Sequence, residues 1–205
     1  MIIKLSNLAK RFQHQWIFRN LDLELENEHS YAITGPNGSG KTTLLQVIAG
    51  IQPATKGTIQ YHSSAGPVDA DDFYRFLSFV APYLELIEEF TLREFLNFHF
   101  DFKSLRDPYT IDHIIADMGL SDSHEKRLKS FSSGMRQRVK LALSFYSDAS
   151  VLLLDEPTAN LDKNGINWYL EQMDGIKTDR LVLIASNQPY EYEFCQKSID
   201  LTHYK

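Results

Sequence analysis

The chain has 205 residues, a length typical of one globular domain or of one domain with a small lobe attached. Hydrophobic residues make up 43% of it and charged residues 23%, which excludes a disordered or collagen-like protein. Its 21 lysine and arginine residues stand against 27 aspartate and glutamate residues, and the resulting net charge of −6 argues against a protein whose main role is to coat nucleic acid.

The first third of the chain alternates between strand and helix patterns. Residues 21–25 alternate strictly between apolar and polar side chains, which predicts a half-buried strand. A second strand is predicted over 30–34, and a third over 57–61. Between them, residues 42–49 have the apolar spacing of a helix that ends at Gly50.

The middle third is predicted to be helical. Thr91 is a suitable N-cap for a helix over 92–100, whose apolar residues form a broad face. A second helix is predicted over 111–118 and is closed by Gly119. A third helix, over 135–145, comes after a turn of serine and glycine.

The last third returns to the α/β pattern. Residues 151–154 are a continuous apolar run that ends at an acidic residue, which is typical of a strand buried on both faces. A helix is predicted over 164–173, and residues 181–185 form another buried strand.

Together these patterns predict an α/β fold in a single domain. We expect the α/β core to cover about 1–81 and 146–205, and a mainly helical lobe to interrupt it at about 82–145. The sequence contains no internal repeat and no low-complexity linker that would indicate a further division.

Nothing in the sequence predicts a membrane span or an oxidising compartment. A spanning helix needs about 20 mostly apolar residues, and the most apolar runs, 151–154 and 181–185, are far shorter. The polar residues among the first eight are unlike a signal peptide. The single cysteine, Cys195, cannot form an internal disulfide. We therefore expect a cytoplasmic location.

A phosphate-binding loop comes directly after the strand at 30–34. Residues 35–42 match the pattern G-x-x-x-x-G-K-[ST] at every fixed position, between a predicted strand and a predicted helix. Glycines allow successive backbone N–H groups to face phosphate oxygens, and the helix presents its positive end to them. Lys41 is expected to neutralise the β- and γ-phosphates, and the Thr42 hydroxyl to bind Mg²⁺. The predicted nucleotide-binding residues of the loop are Gly35, Pro36, Asn37, Gly38, Ser39, Gly40, Lys41, Thr42 and Thr43.

Two carboxylates come directly after the apolar strand at 151–154. We expect Asp155 to hold Mg²⁺ through water, and Glu156 to polarise the attacking water as a general base, with Lys41 as a further catalytic residue. An acidic strand end can also be purely structural. The phosphate loop upstream requires a site of this kind, so we favour the catalytic interpretation.

Three segments in the expected order resemble the ATP-binding cassette (ABC) ATPases. Residues 35–45 are similar to the Walker A helix of that family, and residues 155–162 to its Walker B and D-loop run, which ends at Asp162. Residues 131–139 are similar to the family signature L-S-G-G-Q with its basic helix. The resemblance extends over nearly the whole chain. It implies a P-loop NTPase core with an inserted helical subdomain and an N-terminal antiparallel β subdomain, and it implies ATP and Mg²⁺ as ligands.

The resemblance also implies a dimer. In that family two cassettes sandwich two ATP molecules, so that each γ-phosphate meets one Walker A loop and the other subunit's signature turn. One chain holds one of each, and we expect a homodimer or heterodimer to form around ATP.

The resemblance also implies roles for single residues. The family stacks an aromatic ring on adenine where this chain has Phe12, although the sequence is as consistent with a core phenylalanine there. The signature residues expected to act in trans are Ser132, Ser133, Gly134 and Met135, a segment that could also be an ordinary N-cap.

The chain departs from the family pattern at two positions near the γ-phosphate. Pro82 lies at or next to the position where the family has a glutamine. In the family that glutamine binds Mg²⁺ and contacts the membrane-spanning part of the transporter. Proline lacks the side-chain oxygen, and water or Glu85 could replace it as the metal ligand. Asn187 stands in the place of the switch histidine and is the third predicted catalytic residue. Its amide can donate a hydrogen bond to the γ-phosphate but cannot carry a proton. These replacements predict slow hydrolysis. Compensating substitutions within a subfamily explain them equally well.

The resemblance implies the ATP-hydrolysing subunit of a transporter whose membrane-spanning permease is a separate polypeptide. More narrowly, the short chain is similar to compact bacterial subunits such as that of the cytochrome c biogenesis heme exporter. Residues 90–94 lie where the family's helical lobe meets its membrane partner, which implies a peripheral position on the inner face of the cell membrane. The alternatives are a soluble ABC ATPase of DNA repair, chromosome organisation or translation, and a regulatory subunit with very slow hydrolysis. No nucleic-acid partner is expected.

Overall fold

The computed structural model describes residues 1–27, 29–176 and 180–205. These residues divide into two compact units. The core unit comprises Met1–Phe79, Ala149–Glu156 and the described residues of Lys177–Lys205. The helical unit comprises Val80–Asp148 and Pro157–Ile176.

An antiparallel sheet forms the N-terminal part of the core unit, as the family resemblance implies. Its strands lie in the order β2-β1-β4-β5. They are β1 (Ile2–Phe12), β2 (Gln15–Glu26), β4 (Lys56–Ser63) and β5 (Gly66–Val68). The pairing of β1 with β2 runs from Ile2 opposite Glu26 to Phe12 opposite Gln15.

A second sheet forms the centre of the core unit, with the strand order β6-β7-β8-β3-β9. Its strands are β3 (Ser30–Thr34), β6 (Leu77–Val80), β7 (Val151–Asp155), β8 (Leu181–Ala185) and β9 (Lys197–Asp200). Strands β3, β7, β8 and β9 are parallel where they pair. Every residue of β7 and β8 is buried, which confirms the two predicted strands with two covered faces. Helix α1 (Lys41–Ile48) contacts this sheet.

The strand register brings three chain segments to one edge of the parallel sheet. Ala185 at the end of β8 lies opposite Asp155 in β7 and opposite Ile33 in β3. The carboxyl ends of the three strands therefore meet, and the segments that leave these ends lie close together. Those segments are the phosphate loop after β3, Glu156 after β7 and Asn187 after β8.

The helical unit contains α2 (Leu92–Phe102), α3 (Ile111–Asp117), α4 (Ser133–Tyr146) and α5 (Lys163–Ile176). Thr91 caps α2 as predicted: its hydroxyl accepts from the Glu94 N–H, and the Glu94 carboxylate accepts from the Thr91 N–H at 2.8 Å. We expected the helix at 164–173 in the α/β core, but α5 belongs to the helical unit. The reason is its packing, because the Trp168 indole N–H donates to Asp117 of α3 at 2.7 Å.

The helices of the described residues are short. The longest, α4 and α5, have 14 residues each, whereas a membrane span needs about 20. None of these helices has both the length and the apolar character needed to cross a bilayer.

Candidate active site

Glycine is required at two positions of the loop between β3 and α1. Gly38 has φ 76° and Gly40 has φ 104°, in the left-handed region that side chains with a Cβ rarely adopt. A Cβ at Gly40 would also overlap the side chain of Ile17 in β2. The loop can therefore take this path, with Gly40 as the N-cap of α1, only because these residues are glycines.

Lys41 holds the loop in place from the first turn of α1. Its Nζ donates to the Gly35 carbonyl at 2.8 Å, to the Pro36 carbonyl at 3.4 Å and to Asn187 Oδ1 at 3.0 Å. Burial lowers the pKa of Lys41, and the neighbouring charges of Glu156 and Asp155 oppose that shift. The Lys41 ammonium thus donates to three oxygen acceptors. Phosphate oxygens are acceptors of the same kind and could take their place.

Thr42 and Asp155 join the loop to the end of β7. The Thr42 hydroxyl donates to Asp155 Oδ2 at 2.7 Å, and Asp155 is buried. Burial raises the pKa of Asp155 to about 6; the charges of Glu156 and Glu191 add to this, while Thr42 and Lys41 oppose it. A hydroxyl and a carboxylate are oxygen donors of the kind that Mg²⁺ prefers. The two residues predicted to hold the metal therefore lie together, and their chemistry fits it.

Glu156 lies one residue beyond the strand, in a different environment. Its φ of 44° is unusual for a residue other than glycine, and its N–H donates to the Ala185 carbonyl at 2.9 Å. The side chain is exposed at a cavity of about 200 Å³. The residues that line the cavity are Ile17, Asn37, Gly38, Gly40, Lys41, Thr42, Thr43 and Glu156. The turn after β7 thus buries the first carboxylate and exposes the second to the cavity.

Asn187 lies against the phosphate loop from the end of β8. Its Oδ1 accepts from Lys41, and its Nδ2 donates to the side chain of Asn37. The structure thus brings together the predicted catalytic residues Lys41, Glu156 and Asn187 on one sheet edge. Sequence reasoning missed Glu191, whose buried carboxylate raises the pKa of Asp155. No motif in the sequence marked it.

Phe12 is not a core residue. Its ring is 44% exposed at the end of β1, and the Lys10 ammonium lies 4.8 Å from the ring centroid. Lys10 itself is buried and donates to the Pro53 carbonyl at 2.7 Å. The exposed ring is available for stacking, and its contact with adenine stays a prediction.

The signature residues lie at the start of α4 in the helical unit. Ser132 caps the helix, since its hydroxyl accepts from the Met135 N–H at 3.2 Å. A Cβ at Gly134 would come within 2.8 Å of the Asn160 carbonyl, so this turn approaches the chain after β7 closely. These residues and Asp162 line a cavity of about 290 Å³ in the same unit.

Asp162 forms hydrogen bonds with both α5 and α4. Its carboxylate accepts from the Gly165 N–H at 2.8 Å and from the Arg138 guanidinium at 2.8 Å. The Gly165 hydrogen bond, and after it the Arg138 hydrogen bond, lowers the pKa of Asp162. Asp162 is therefore held as an anion between the signature helix and α5.

Pro82 contributes its carbonyl oxygen, which accepts from Lys140 Nζ of α4 at 3.0 Å. Burial lowers the pKa of Lys140, and the charge of Glu85 opposes that shift. Pro82, Glu85 and Lys140 line a cavity of about 410 Å³ within the helical unit. Sequence reasoning did not identify Lys140, whose neighbour Pro82 is distant in the chain. Glu85 as a metal ligand stays a prediction.

Comparison with known proteins assigns the chain to a protein family. The family model described as ABC transporter matches residues 18–159, more than half of the chain. The chain is 29% identical over 195 residues to the uncharacterised ABC transporter ATP-binding protein YxlF of Bacillus subtilis, covering 94% of this chain and 64% of that protein. The chain thus spans slightly less than two thirds of the length of YxlF.

Two further proteins resemble the chain over most of both lengths. The cytochrome c biogenesis ATP-binding export protein CcmA of Sodalis glossinidius is 29% identical over 186 residues, 90% of this chain and 88% of that protein. A solved dimeric structure of MJ0796, described as a bacterial ABC transporter cassette, superposes with a TM-score of 0.77 at 20% identity. It covers 97% of this chain and 94% of the other, and at that identity it confirms the fold alone.

The buried Asp155 carboxylate predicts a pH-dependent effect on stability. The pKa of Asp155 is about 6 in the folded protein, against about 4 when unfolded. The folded state therefore binds the proton more tightly, and this stabilisation is lost as the pH rises through 6. Asp155→Asn keeps an acceptor for Thr42 without the charge, so it should stabilise the protein at pH 8 by roughly 1–3 kcal/mol.

The measurement is the free energy of unfolding by urea at several pH values, without nucleotide or Mg²⁺. The difference between Asp155→Asn and the wild type should shrink towards zero below about pH 4. A difference that is the same at pH 8 and pH 4 would show that the Asp155 charge is not the cause.

Proposed function

The chain belongs to the ABC transporter family, and we propose that it is an ATP-hydrolysing subunit that dimerises around ATP to drive a separate membrane-spanning permease. The observation that carries the proposal is the hydrogen bond of Thr42 to Asp155, with Lys41 and Glu156 beside it. This hydrogen bond links the phosphate loop to the carboxylate proposed to hold the metal, beside a cavity that Lys41, Thr42 and Glu156 line.

The loop is suited to bind the phosphates of ATP. Lys41 Nζ would exchange its bonds to the Gly35 carbonyl and Asn187 for phosphate oxygens, and the first N–H groups of α1 would face the same anion. Thr42 and Asp155 would hold Mg²⁺, which when bound supplies charge neutralisation for the β- and γ-phosphates. Phe12 offers its exposed ring to the adenine.

Glu156 is the proposed general base. Its carboxylate is exposed at the cavity, whereas that of Asp155 is buried and hydrogen-bonded to Thr42. An ionised, solvent-accessible carboxylate can orient a water molecule and accept its proton. The left-handed backbone of Glu156 follows the end of the strand, and its side chain lines the cavity.

Dimerisation completes the ATP site in this proposal. The core unit carries the phosphate loop, and the helical unit carries a signature turn whose Ser133 is exposed at the helix N-terminus. A helix N-terminus with free N–H groups binds an anion, so the turn is suited to a γ-phosphate held by a second chain. The related cassette MJ0796 is described as dimeric, which supports this arrangement.

We expect slow hydrolysis because neither Asn187 nor Pro82 supplies the side chain that the family pattern has at its position. Asn187 is bonded to Lys41 and Asn37, and its amide cannot take up or release a proton. Pro82 presents only a carbonyl, which Lys140 already occupies. ATP binding is therefore expected to be normal and turnover low.

Asn187→His should raise the turnover of ATP. An imidazole at this position can carry a proton and a positive charge next to the γ-phosphate. A side chain that transfers a proton in the transition state typically increases the reaction rate by about 10²-fold or more. We expect kcat to rise at least about tenfold. The measurement is steady-state phosphate release by the purified protein with Mg-ATP.

Asn187→Gln is the matched control, because it keeps the amide and should not raise kcat. Glu156→Gln should abolish turnover while ATP still binds. The slow-enzyme hypothesis is wrong if the wild type already turns over as fast as Asn187→His and Asn187→Ala abolishes that activity.

The helical unit exposes an aromatic ridge suited to the membrane partner. Phe98 contacts Phe90 and Phe102 edge to face, with centroid distances of 5.4 and 5.1 Å, and Phe102 is 80% exposed. Beside the ridge is a groove of about 660 Å³ with three acidic residues, Glu89, Glu94 and Asp101, and one basic residue, Arg127. An apolar ridge with an acidic rim fits a permease segment that carries apolar and basic side chains. The groove includes Phe90, Thr91 and Glu94 of the segment 90–94 that is expected to couple, and the surface would hold the protein on the inner face of the membrane.

Phe98→Ser combined with Phe102→Ser should release the protein from membranes. Both rings are exposed, so the fold should tolerate the change while the apolar contact is lost. The measurement is the fraction of protein that sediments with membranes of the source cells, and we expect it to fall at least about fivefold.

Tyr74→Ser is the control, since Tyr74 is an exposed aromatic residue of the other unit. Proteins cross-linked to the wild type should include an integral membrane protein. Recovery of ribosomes or nucleic acid without any integral membrane protein would contradict a transport role.

A further inference from the structure

Three cations surround one tryptophan on the antiparallel sheet. The charged groups of Arg11, Arg19 and Lys56 lie 5.2, 5.9 and 5.7 Å from the ring centroid of Trp16. The three basic side chains are exposed, and Trp16 is half-buried beneath them. We refer to these four residues as the basic–aromatic cluster.

The register of the sheet builds the cluster. Arg11 lies directly opposite Trp16, so the two side chains share one face of the β1–β2 pair. One position earlier, Lys10 lies opposite Phe18, so Ile17 is an extra residue in β2. The irregularity places Trp16 beside Arg11 while Phe18 remains in the core.

The third strand fixes the cluster from the other side. The Arg11 N–H donates to the Thr55 hydroxyl at 3.0 Å, and Lys56 is the next residue, in β4, opposite Ala9 of β1. Arg19 is also held, because its guanidinium donates to the main-chain oxygen of Lys205 at 2.8 Å. The backbone thus determines where the three charges converge.

In the part of the chain that the structure describes, the cluster lacks the carboxylates that neutralise other surface cations. Within the described residues neither Arg11 nor Lys56 pairs with an acidic side chain, whereas Lys4 pairs with Glu24 and Arg75 with Asp72. The first 20 residues of the sequence contain no aspartate or glutamate, although the whole chain has a net charge of −6. Three like charges concentrated at one ring repel one another, and a bound anion would relieve that repulsion.

We propose that the basic–aromatic cluster is a binding site for a phosphate-bearing anion, separate from the phosphate loop. Guanidinium groups recognise phosphate through paired N–H donors, and Lys56 adds a point charge. The indole ring beneath them gives the site a rigid apolar base, a combination that also suits the headgroup region of a bilayer. The ligand is either an anionic phospholipid headgroup or a free phosphate compound, and this proposal stands independently of the ATPase activity.

The test compares the wild type with Arg11→Gln combined with Lys56→Gln. In one arm, the proteins are mixed with protein-free vesicles of phosphatidylcholine, with or without phosphatidylglycerol, and the bound fraction is measured by flotation. In the other arm, inorganic pyrophosphate is titrated calorimetrically while a non-hydrolysable ATP analogue saturates the phosphate loop. Arg75→Gln is the matched control, because Arg75 also lies over an aromatic ring but pairs with Asp72.

We expect the double variant to bind the responding probe on the order of 25-fold more weakly, about fivefold for each charge removed. Arg75→Gln should bind like the wild type, and each variant should keep a cooperative thermal unfolding transition because the changed residues are exposed. A response in the vesicle arm identifies a lipid headgroup, and one in the pyrophosphate arm a free phosphate compound. The proposal is overturned if neither probe binds the wild type, or if the double variant and Arg75→Gln bind like each other.

Discussion

The hydrogen bond between Thr42 and Asp155 is the contact on which the rest of the site depends. It connects the first turn of α1 to the end of β7, and it satisfies one oxygen of a buried carboxylate. The parallel sheet makes this contact possible, because β3, β7 and β8 end at the same edge. Burial raises the pKa of Asp155, so the folded chain gives up stability for a charge whose proposed use is to hold Mg²⁺.

The same sheet edge separates the two carboxylates that the sequence places side by side. Asp155 ends the strand and is buried, while the left-handed backbone of Glu156 directs the next side chain into the cavity. This difference in environment supports the different roles that we propose for the two residues, Asp155 as a metal ligand and Glu156 as a base. Lys41 and Asn187 complete the surroundings of the proposed γ-phosphate site. The signature turn is built by another unit of the chain, from a capped helix start with an exposed serine.

The sequence predicted the elements whose chemistry depends on local pattern. The phosphate loop, the buried strands β7 and β8 and the cap at Thr91 could all be read from short runs of residues. Strand β1 could not, because irregularities in its pairing interrupt the alternation of its side chains. The helix at 164–173 was predicted, but its place in the helical unit depends on the bond from Trp168 to the distant Asp117. Lys140 and the basic–aromatic cluster were missed for the same reason, since their contacts join residues far apart in the chain.

We propose that one chain holds half of an ATP site and needs a second cassette to complete it. Sedimentation velocity of Glu156→Gln with saturating Mg-ATP distinguishes a completed site from a half site, because blocked hydrolysis should trap the ATP-bound form. We predict a species of twice the chain mass with ATP and a single chain without it. Adding Ser133→Glu should prevent dimerisation, because a carboxylate at the start of α4 is compatible with the helix but repels a γ-phosphate. Ser121→Glu is the control, an exposed serine of the same unit outside the signature turn, and it should leave dimerisation unchanged. A Glu156→Gln protein that stays monomeric with bound ATP, or one that dimerises equally well with Ser133→Glu, would contradict the claim.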